Sequence, residues 1–228
     1  MINSGKARKA AFKMILITLA TLLVLLAAAL LGWMITTTIV AVWGVLLVAW
    51  VLFAIFTLYF FRDPTPKVPK GAGLVISPAH GKVDAVGMTT EPRFMGGECQ
   101  RISIFLSVVD VHVQNAPVSG KVSFFKYTEG QFLNAMAADS AVHNENVLIG
   151  LESSDPQGAK VGLRLIAGLI ARRIVPWVKT GDEVLRGDRI SLIQFGSRAD
   201  VYLPRGATIR VKLGDRVVGG ETILAAFQ

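Results

Sequence analysis

At 228 residues, 52% of them apolar, the chain has room for one domain of ordinary size and an additional segment. It carries 24 Lys and Arg against 16 Asp and Glu, a net charge of +8, but no basic stripe with interleaved aromatics, which argues against a nucleic-acid partner. The single cysteine, Cys99, excludes an intrachain disulfide and reads as a small buried hydrophobe.

From Met14 to Phe61 there is no charged residue. One helix crosses a bilayer with about 20 apolar residues, so the run is long enough for two helices, expected at about 14–33 and 37–60. The turn between them is expected near Gly32 and Trp33 or at Thr36, Thr37 and Thr38, where polarity rises. A cleaved signal peptide fits poorly, because its apolar region is usually about 7–15 residues. Lys6, Arg8, Lys9 and Lys13 precede the run and Arg62 closes it. Basic flanks favour the cytoplasmic side. A hairpin therefore leaves the rest of the chain in the cytoplasm, on the cell membrane, whereas one long tilted helix places it across the bilayer. Residues 1–61 read as a membrane anchor and 62–228 as a second domain. Without the four N-terminal cations the count is 20 against 16, a mild basic excess suited to an anionic lipid surface.

Pro64, Pro66 and Pro69 make the junction a stiff, extended linker. Beyond it, short runs such as Arg101–Val109, Lys121–Phe125 and Ala199–Leu203 are rich in Val, Ile and Phe, with Gly, Pro, Asn and Asp between them. Only Gly130–Ala138 suggests a short helix. Two internal echoes stand out. Pro78-Ala79-His80-Gly81-Lys82-Val83 is answered by Pro117-Val118-Ser119-Gly120-Lys121-Val122, and Val178–Val184 by Val211–Val217, each of the latter pair built around a Gly-Asp turn. Repeated turns of this kind predict a mainly β fold, a compact β-barrel or sandwich behind the helical hairpin. Biotinyl and lipoyl carrier domains use the same V-x-x-G-D-x-V phrase, so it speaks of architecture rather than chemistry.

The three histidines, His80, His112 and His143, match no zinc-ligand spacing and have no cysteine pair beside them, so no metal is expected. Lys82 and Lys121 sit in Gly-Lys turns where solvated lysines are common. Arg172 and Arg173 suit a lipid phosphate or a carboxylate, and equally a surface ion pair. Gly196-Ser197, taken alone, is a turn.

Its context is more specific. Phe195-Gly196-Ser197-Arg198 resembles the self-cleavage site of the phosphatidylserine decarboxylase proenzymes, in their short, Gly-Ser-cleaving branch. The resemblance extends over nearly the whole of 62–228. It takes in Phe60-Phe61-Arg62-Asp63-Pro64, then Ser77-Pro78-Ala79-His80-Gly81-Lys82-Val83, then Phe105-Leu106-Ser107 with Asp110-Val111-His112 and Ala116-Pro117. Asn144-Glu145-Asn146, Ile166-Ala167-Gly168 with Ala171-Arg172-Arg173-Ile174, and Gly187-Asp188-Arg189 complete the order.

The resemblance implies a pyruvoyl-dependent decarboxylase that converts phosphatidylserine in the membrane to phosphatidylethanolamine. It implies that Ser197 attacks the carbonyl of Gly196, that the chain parts into 1–196 and 197–228, and that Ser197 becomes a covalent pyruvoyl group (the cofactor, pyruvate) forming a Schiff base with the substrate amine. Glycine suits position 196 because a carbonyl without a neighbouring Cβ is easily approached. His112 is implicated in processing and turnover; the second histidine of longer relatives is replaced here by Asn115. His80 departs from the family, which has aspartate there. Three readings follow: His80 is itself a base, or Asp84 or Asp110 supplies the carboxylate, or the chain is an unprocessed pseudoenzyme. A non-enzymatic membrane adaptor with a lipoyl-like barrel is the rival from another class. Homo-oligomerisation is left open.

Overall fold

The computed structural model describes residues 6–131, 143–168, 173–194 and 196–227. The chain divides into two compact units, Met1–Thr57 and Leu58–Gln228.

Helix α1 runs unbroken from Lys6 to Phe60, where the sequence leads one to expect two helices with a turn between them. The physical reason lies in the polar cluster itself. The hydroxyls of Thr36, Thr37 and Thr38 donate to the carbonyls of Gly32, Trp33 and Met34 one turn back. The cluster thus satisfies its polar groups inside the helix, and no proline interrupts it. The apolar part, Met14–Phe60, is 47 residues long. At 1.5 Å per residue that is about 70 Å, against about 30 Å of bilayer hydrocarbon.

The second unit is mainly β. Its strands are β1 (Leu74–Ile76), β2 (Gly81–Glu91), β3 (Gly97–Leu106), β4 (Val113–Asn115), β5 (Gly120–Thr128), β6 (Asn146–Ser154), β7 (Gln157–Ala167), β8 (Arg173–Pro176), β9 (Glu183–Val184), β10 (Arg189–Gln194), β11 (Ser197–Leu203), β12 (Thr208–Ile209), β13 (Arg216–Val217) and β14 (Ile223–Ala226). Eight of them form an antiparallel sheet in the order β13-β2-β3-β11-β7-β6-β5-β9, which curls into a half-barrel; β4-β10-β8 and β1-β14-β12 are smaller sheets. Alternation along the strands explains the curl. Ile102, Ile104 and Leu106 of β3, Leu163 and Leu165 of β7, and Ala199, Val201 and Leu203 of β11 point into one buried core. Period two places Ser197 on this inner face and Arg198 and Asp200 on the outer one. There Arg198 Nε lies 3.0 Å from Asp200, and its Nη1 lies 3.5 Å from Asp84.

The sequence echoes prove to be one device used twice. Gly81 opens β2 and Gly120 opens β5; a Cβ there would collide with the carbonyl oxygens of Phe105 and Glu152, respectively. Against each strand a Gly-Asp turn docks through the same two bonds. Val83 N–H donates to Asp215 O (2.9 Å) and Val83 O accepts from Gly214 N–H (2.8 Å), while Val122 does the same with Asp182 and Gly181 (2.8 Å each). Each aspartate closes its own turn, Asp182 Oδ2 taking Lys179 N–H and Asp215 Oδ2 taking Lys212 N–H, both at 2.9 Å. The two copies sit at opposite edges of the large sheet.

The linker has no regular structure. Arg189 holds Asp63 at 2.6 Å, and the Arg186 guanidinium donates to the carbonyls of Pro69, Gly71 and Leu74. The segment expected to be helical, Gly130–Ala138, falls almost wholly outside the described residues, as do Arg172 and Phe195.

Candidate active site

Ser197 is the first residue of β11, paired with Leu106 on one side and Ala167 on the other. It is fully buried, and its Oγ has no hydrogen-bond partner among the described residues. A buried hydroxyl without a partner is costly, a condition Ser197 shares with Ser103 and Ser191, and what sets it apart is the peptide beside it. Gly196, just before it, has φ +77°, a conformation that favours glycine. Both ends of Gly196 are held. Its N–H donates to His112 Nε2 at 3.0 Å, and its carbonyl oxygen accepts from the Gly168 N–H at 3.1 Å. Gly168 follows the last residue of β7, whose end is tied by Asn144 Nδ2 donating to Ala167 O (2.7 Å) and Ala167 N–H donating to Glu145 O (2.9 Å). The Asn144-Glu145-Asn146 and Ile166-Ala167-Gly168 motifs therefore meet behind the Gly196 carbonyl.

His112 reaches Gly196 from the loop that follows β3. Asp110 builds that loop: its Oδ2 accepts from Ser107 N–H (2.9 Å) and Ser107 Oγ–H (2.7 Å), and its Oδ1 meets Arg216 at 3.0 Å. Burial pushes the Asp110 carboxyl up, but the Ser107 donors and Arg216 outweigh it and leave the group below its ordinary value. The carboxylate is thus committed to the loop. What orients His112 is the main-chain carbonyl of Asp110, 2.9 Å from Nδ1. With Nδ1–H donating to that carbonyl, Nε2 is left as the acceptor for Gly196 N–H, so the geometry selects one neutral tautomer. Burial lowers the His112 pKa from 6.5 to about 4. Part of that burial is Phe60, itself fully buried, whose ring lies 4.4 Å from the imidazole with a 32° tilt.

His80 is half-buried beside Gly219, near enough to Asp110, Arg62 and His112 to exchange charge effects with each. Burial lowers its pKa, with Asp110 opposing. Among the described residues the His80 ring makes no hydrogen bond to His112 or Ser197. Asp84 faces Arg198 on the outer side of the sheet; burial raises its pKa and Arg198 opposes. Neither Asp84 nor the Asp110 carboxylate is hydrogen-bonded to the imidazole. His143 is exposed. A cavity of about 580 Å³ lies at the far edge of the sheet, lined by Lys121, Glu152 and Glu183 among others, and touches none of these groups.

The structure brings Ser197, Gly196 and His112, all expected from the sequence, to one place and sets two further residues beside them, Phe60 and Gly168. Phe60 was visible only as part of a motif, and Gly168 acts through its backbone, which no side-chain pattern reveals.

Comparison with known proteins covers the stretch of chain that contains these residues. The profile of the family described as Phosphatidylserine decarboxylase matches residues 53–225. Three proteins named phosphatidylserine decarboxylase proenzyme are similar to this chain. The one from Desulfotalea psychrophila is 47% identical over 169 residues, covering 74% of this chain and 78% of the relative. That from Symbiobacterium thermophilum is 45% identical over 171 residues, covering 75% and 79%. That from Zymomonas mobilis is 48% identical over 172 residues, covering 72% and 69%.

Proposed function

The chain belongs to the phosphatidylserine decarboxylase family, and on that premise we propose that it cleaves itself between Gly196 and Ser197 and then decarboxylates phosphatidylserine to phosphatidylethanolamine at the membrane. The observation that carries the proposal is Gly196, whose N–H donates to His112 and whose carbonyl oxygen, in the next peptide group, accepts from Gly168, with the unpartnered Ser197 hydroxyl beside it.

Ser197 Oγ attacks the Gly196 carbonyl carbon, and the acyl group passes from nitrogen to oxygen. The negative charge that develops on the carbonyl oxygen falls where the Gly168 N–H already points; one such donor is typically worth about 10²–10³ in rate. His112 Nε2 accepts the hydroxyl proton once the Gly196 N–H releases it. Loss of the Cα proton of residue 197 then breaks the Cβ–O bond. It frees a chain ending in the Gly196 carboxylate, and the dehydroalanine left behind takes up water and loses ammonia to give a pyruvoyl group.

The residues fit that group: the serine is dry, terminal on its strand after scission, and preceded by a glycine. The ketone at residue 197 supplies an electron sink for the carbanion formed when the substrate loses CO2. This chain's own contribution is positional. After scission Gly196 is a chain end and no longer needs His112, whose Nε2 is then free to return a proton to the substrate carbon. His80 takes the place of the family aspartate as the second proton-transfer group of the cluster. The products stay together because β11 pairs along its whole length with β3 and along most of it with β7, while β13 and β14 pair with β2 and β1.

The apolar segment Met14–Phe60 is suited to hold the protein in a membrane. Lys6, Arg8, Lys9 and Lys13 before the segment and Arg62 after it are the kind of basic flanks that favour the cytoplasmic face, which is where we place the catalytic unit. Protease added outside sealed right-side-out vesicles then leaves that unit intact.

The decisive experiment is the intact mass of the purified protein before and after borohydride treatment. Two chains are expected, 1–196 and 197–228, the smaller gaining two hydrogens on reduction. A folded, uncleaved chain with an unmodified Ser197 identifies a pseudoenzyme instead.

A further inference from the structure

Beside the site, one edge of the second unit is both apolar and basic, and three independent contacts make it continuous. Arg62 Nη2 donates to Val109 O at 2.6 Å. Asp110, the next residue, holds Arg216 at 3.0 Å. Arg216 begins β13, directly after the turn whose Gly214 N–H docks on Val83. On this edge Leu213 is 67% exposed at the apex of the turn, Val109 56% and Phe61 40%. Lys212 and Arg216 are exposed among them. Leu213 and Val109 stand out between cations and belong to no core cluster, and Phe61, packed edge-on against Phe60, still leaves part of its ring exposed.

We propose that this edge, with Leu213 at its tip and Val109 and Phe61 beside it, is a docking surface for an anionic phospholipid bilayer. The proposal rests on the membrane reading above but not on self-cleavage. Three observations select a lipid surface as the occupant. Charge is complementary: exposed Lys212 and Arg216, the latter also holding Asp110, attract anionic headgroups, with half-buried Arg62 behind them, while apolar side chains insert among the acyl chains just beneath. The chain is also continuous there, since Phe61 directly follows the last residue of the 47-residue apolar segment. The third observation is an internal control. The far edge of the sheet is built from the same Gly-Asp turn, yet it carries Thr180 where this edge has Leu213 and Glu183 where it has Arg216. That copy does expose Leu185 and Trp177, but there Glu152 and Glu183 offset Lys121 and Lys179, so the edge lacks the basic excess of this one. The fold therefore does not require the apolar, basic version of the turn. Val109 is three residues from His112, so docking this edge sets the site at headgroup depth, where the serine moiety of a lipid substrate resides.

The test uses the full chain reconstituted in vesicles. Leu213→Cys and, separately, Thr180→Cys carry an environment-sensitive fluorophore; Cys99 is buried and contributes little labelling. Vesicles of phosphatidylcholine, with or without phosphatidylglycerol, contain lipids spin-labelled high on the acyl chain. Quenching at 213 is expected to exceed that at 180 by at least about twofold and to rise with anionic lipid. Equal quenching at both positions overturns the proposal. So does a signal at 213 that follows protein density and ignores the quencher, which would mark a contact between two copies. Repeating the measurement with Ser197→Ala separates docking from scission. In the processed enzyme, Leu213→Glu is expected to lower turnover of vesicle phosphatidylserine by roughly fivefold or more. Self-cleavage and turnover of a short-chain, water-soluble phosphatidylserine are expected to be unaffected; equal loss on both substrates overturns the proposal.

Discussion

Gly196 gives its amide proton to Nε2 of His112 across 3.0 Å, so the imidazole is engaged with the peptide group just upstream of the proposed scissile bond. The contact joins residues 84 positions apart. It holds the positive-φ turn that presents the Gly196 carbonyl to Gly168, and it leaves Ser197 Oγ as the unsatisfied group. Replacing His112 by Ala removes both the clamp and the proton acceptor. Self-cleavage is expected to slow by about 10²-fold or more, the usual range for a lost acid–base group. A gel time course after expression should show the intact chain of 24.5 kDa.

His112 also makes the protein acid-sensitive. Its pKa in the folded chain, about 4, lies below the ordinary 6.5 because the ring is buried. The unfolded chain therefore binds more protons between those values, and stability falls as pH drops from about 6.5 toward 4. His80, also lowered by burial, acts in the same direction. The His112 contribution amounts to about 3 kcal/mol at most. Phe60→Ala admits water to the ring, and the loss is expected to shrink as the His112 pKa rises. Denaturant melts of Ser197→Ala and of its Phe60→Ala derivative across this pH range check both statements.

Asp110 offers a sharp distinction. If its carboxylate oriented the histidine, Asp110→Asn would reproduce the loss of about 10⁴ seen where a triad carboxylate is neutralised. Here the main-chain carbonyl does the orienting, and the carboxylate serves Ser107 and Arg216. Asp110→Asn is therefore expected to reduce processing by no more than about tenfold. Rate constants of self-cleavage for the two proteins decide the matter.

His80 stands where the family has aspartate. Its place in the Asp110–Arg62–His112 charge cluster predicts that His80→Ala slows self-cleavage by about tenfold or more, while His80→Asp restores it. An added carboxylate near His112 raises the imidazole pKa, so the acid limb of the processing profile should move to higher pH in His80→Asp. An unchanged rate in His80→Ala removes this residue from the mechanism.

Much of the molecule is legible from residue order. The uncharged run Met14–Phe61, the proline-rich linker and the alternating Val and Ile segments specify an apolar helix followed by antiparallel strands, because burial period and helix-breaking chemistry are local properties. The doubled Gly-Asp phrases announce a repeated turn. Gly196-Ser197 and His112 are recognisable because their side-chain types, or the lack of one, are what the proposed chemistry requires.

Tertiary structure alone decided how those pieces meet. Nothing local says that Phe60 stacks on His112, that the Gly168 amide faces the Gly196 carbonyl, or that Asp110 orients the imidazole with its backbone while its carboxylate looks elsewhere. Backbone donors carry no residue signature, and these contacts depend on strand register across β3, β11 and β7. The unbroken α1 teaches the same lesson in reverse: three threonines that look like a turn along the chain become, once coiled, donors to their own helix. Sequence determines which groups are present and how the chain can locally curl; only packing determines which of two available atoms each group turns toward its neighbour.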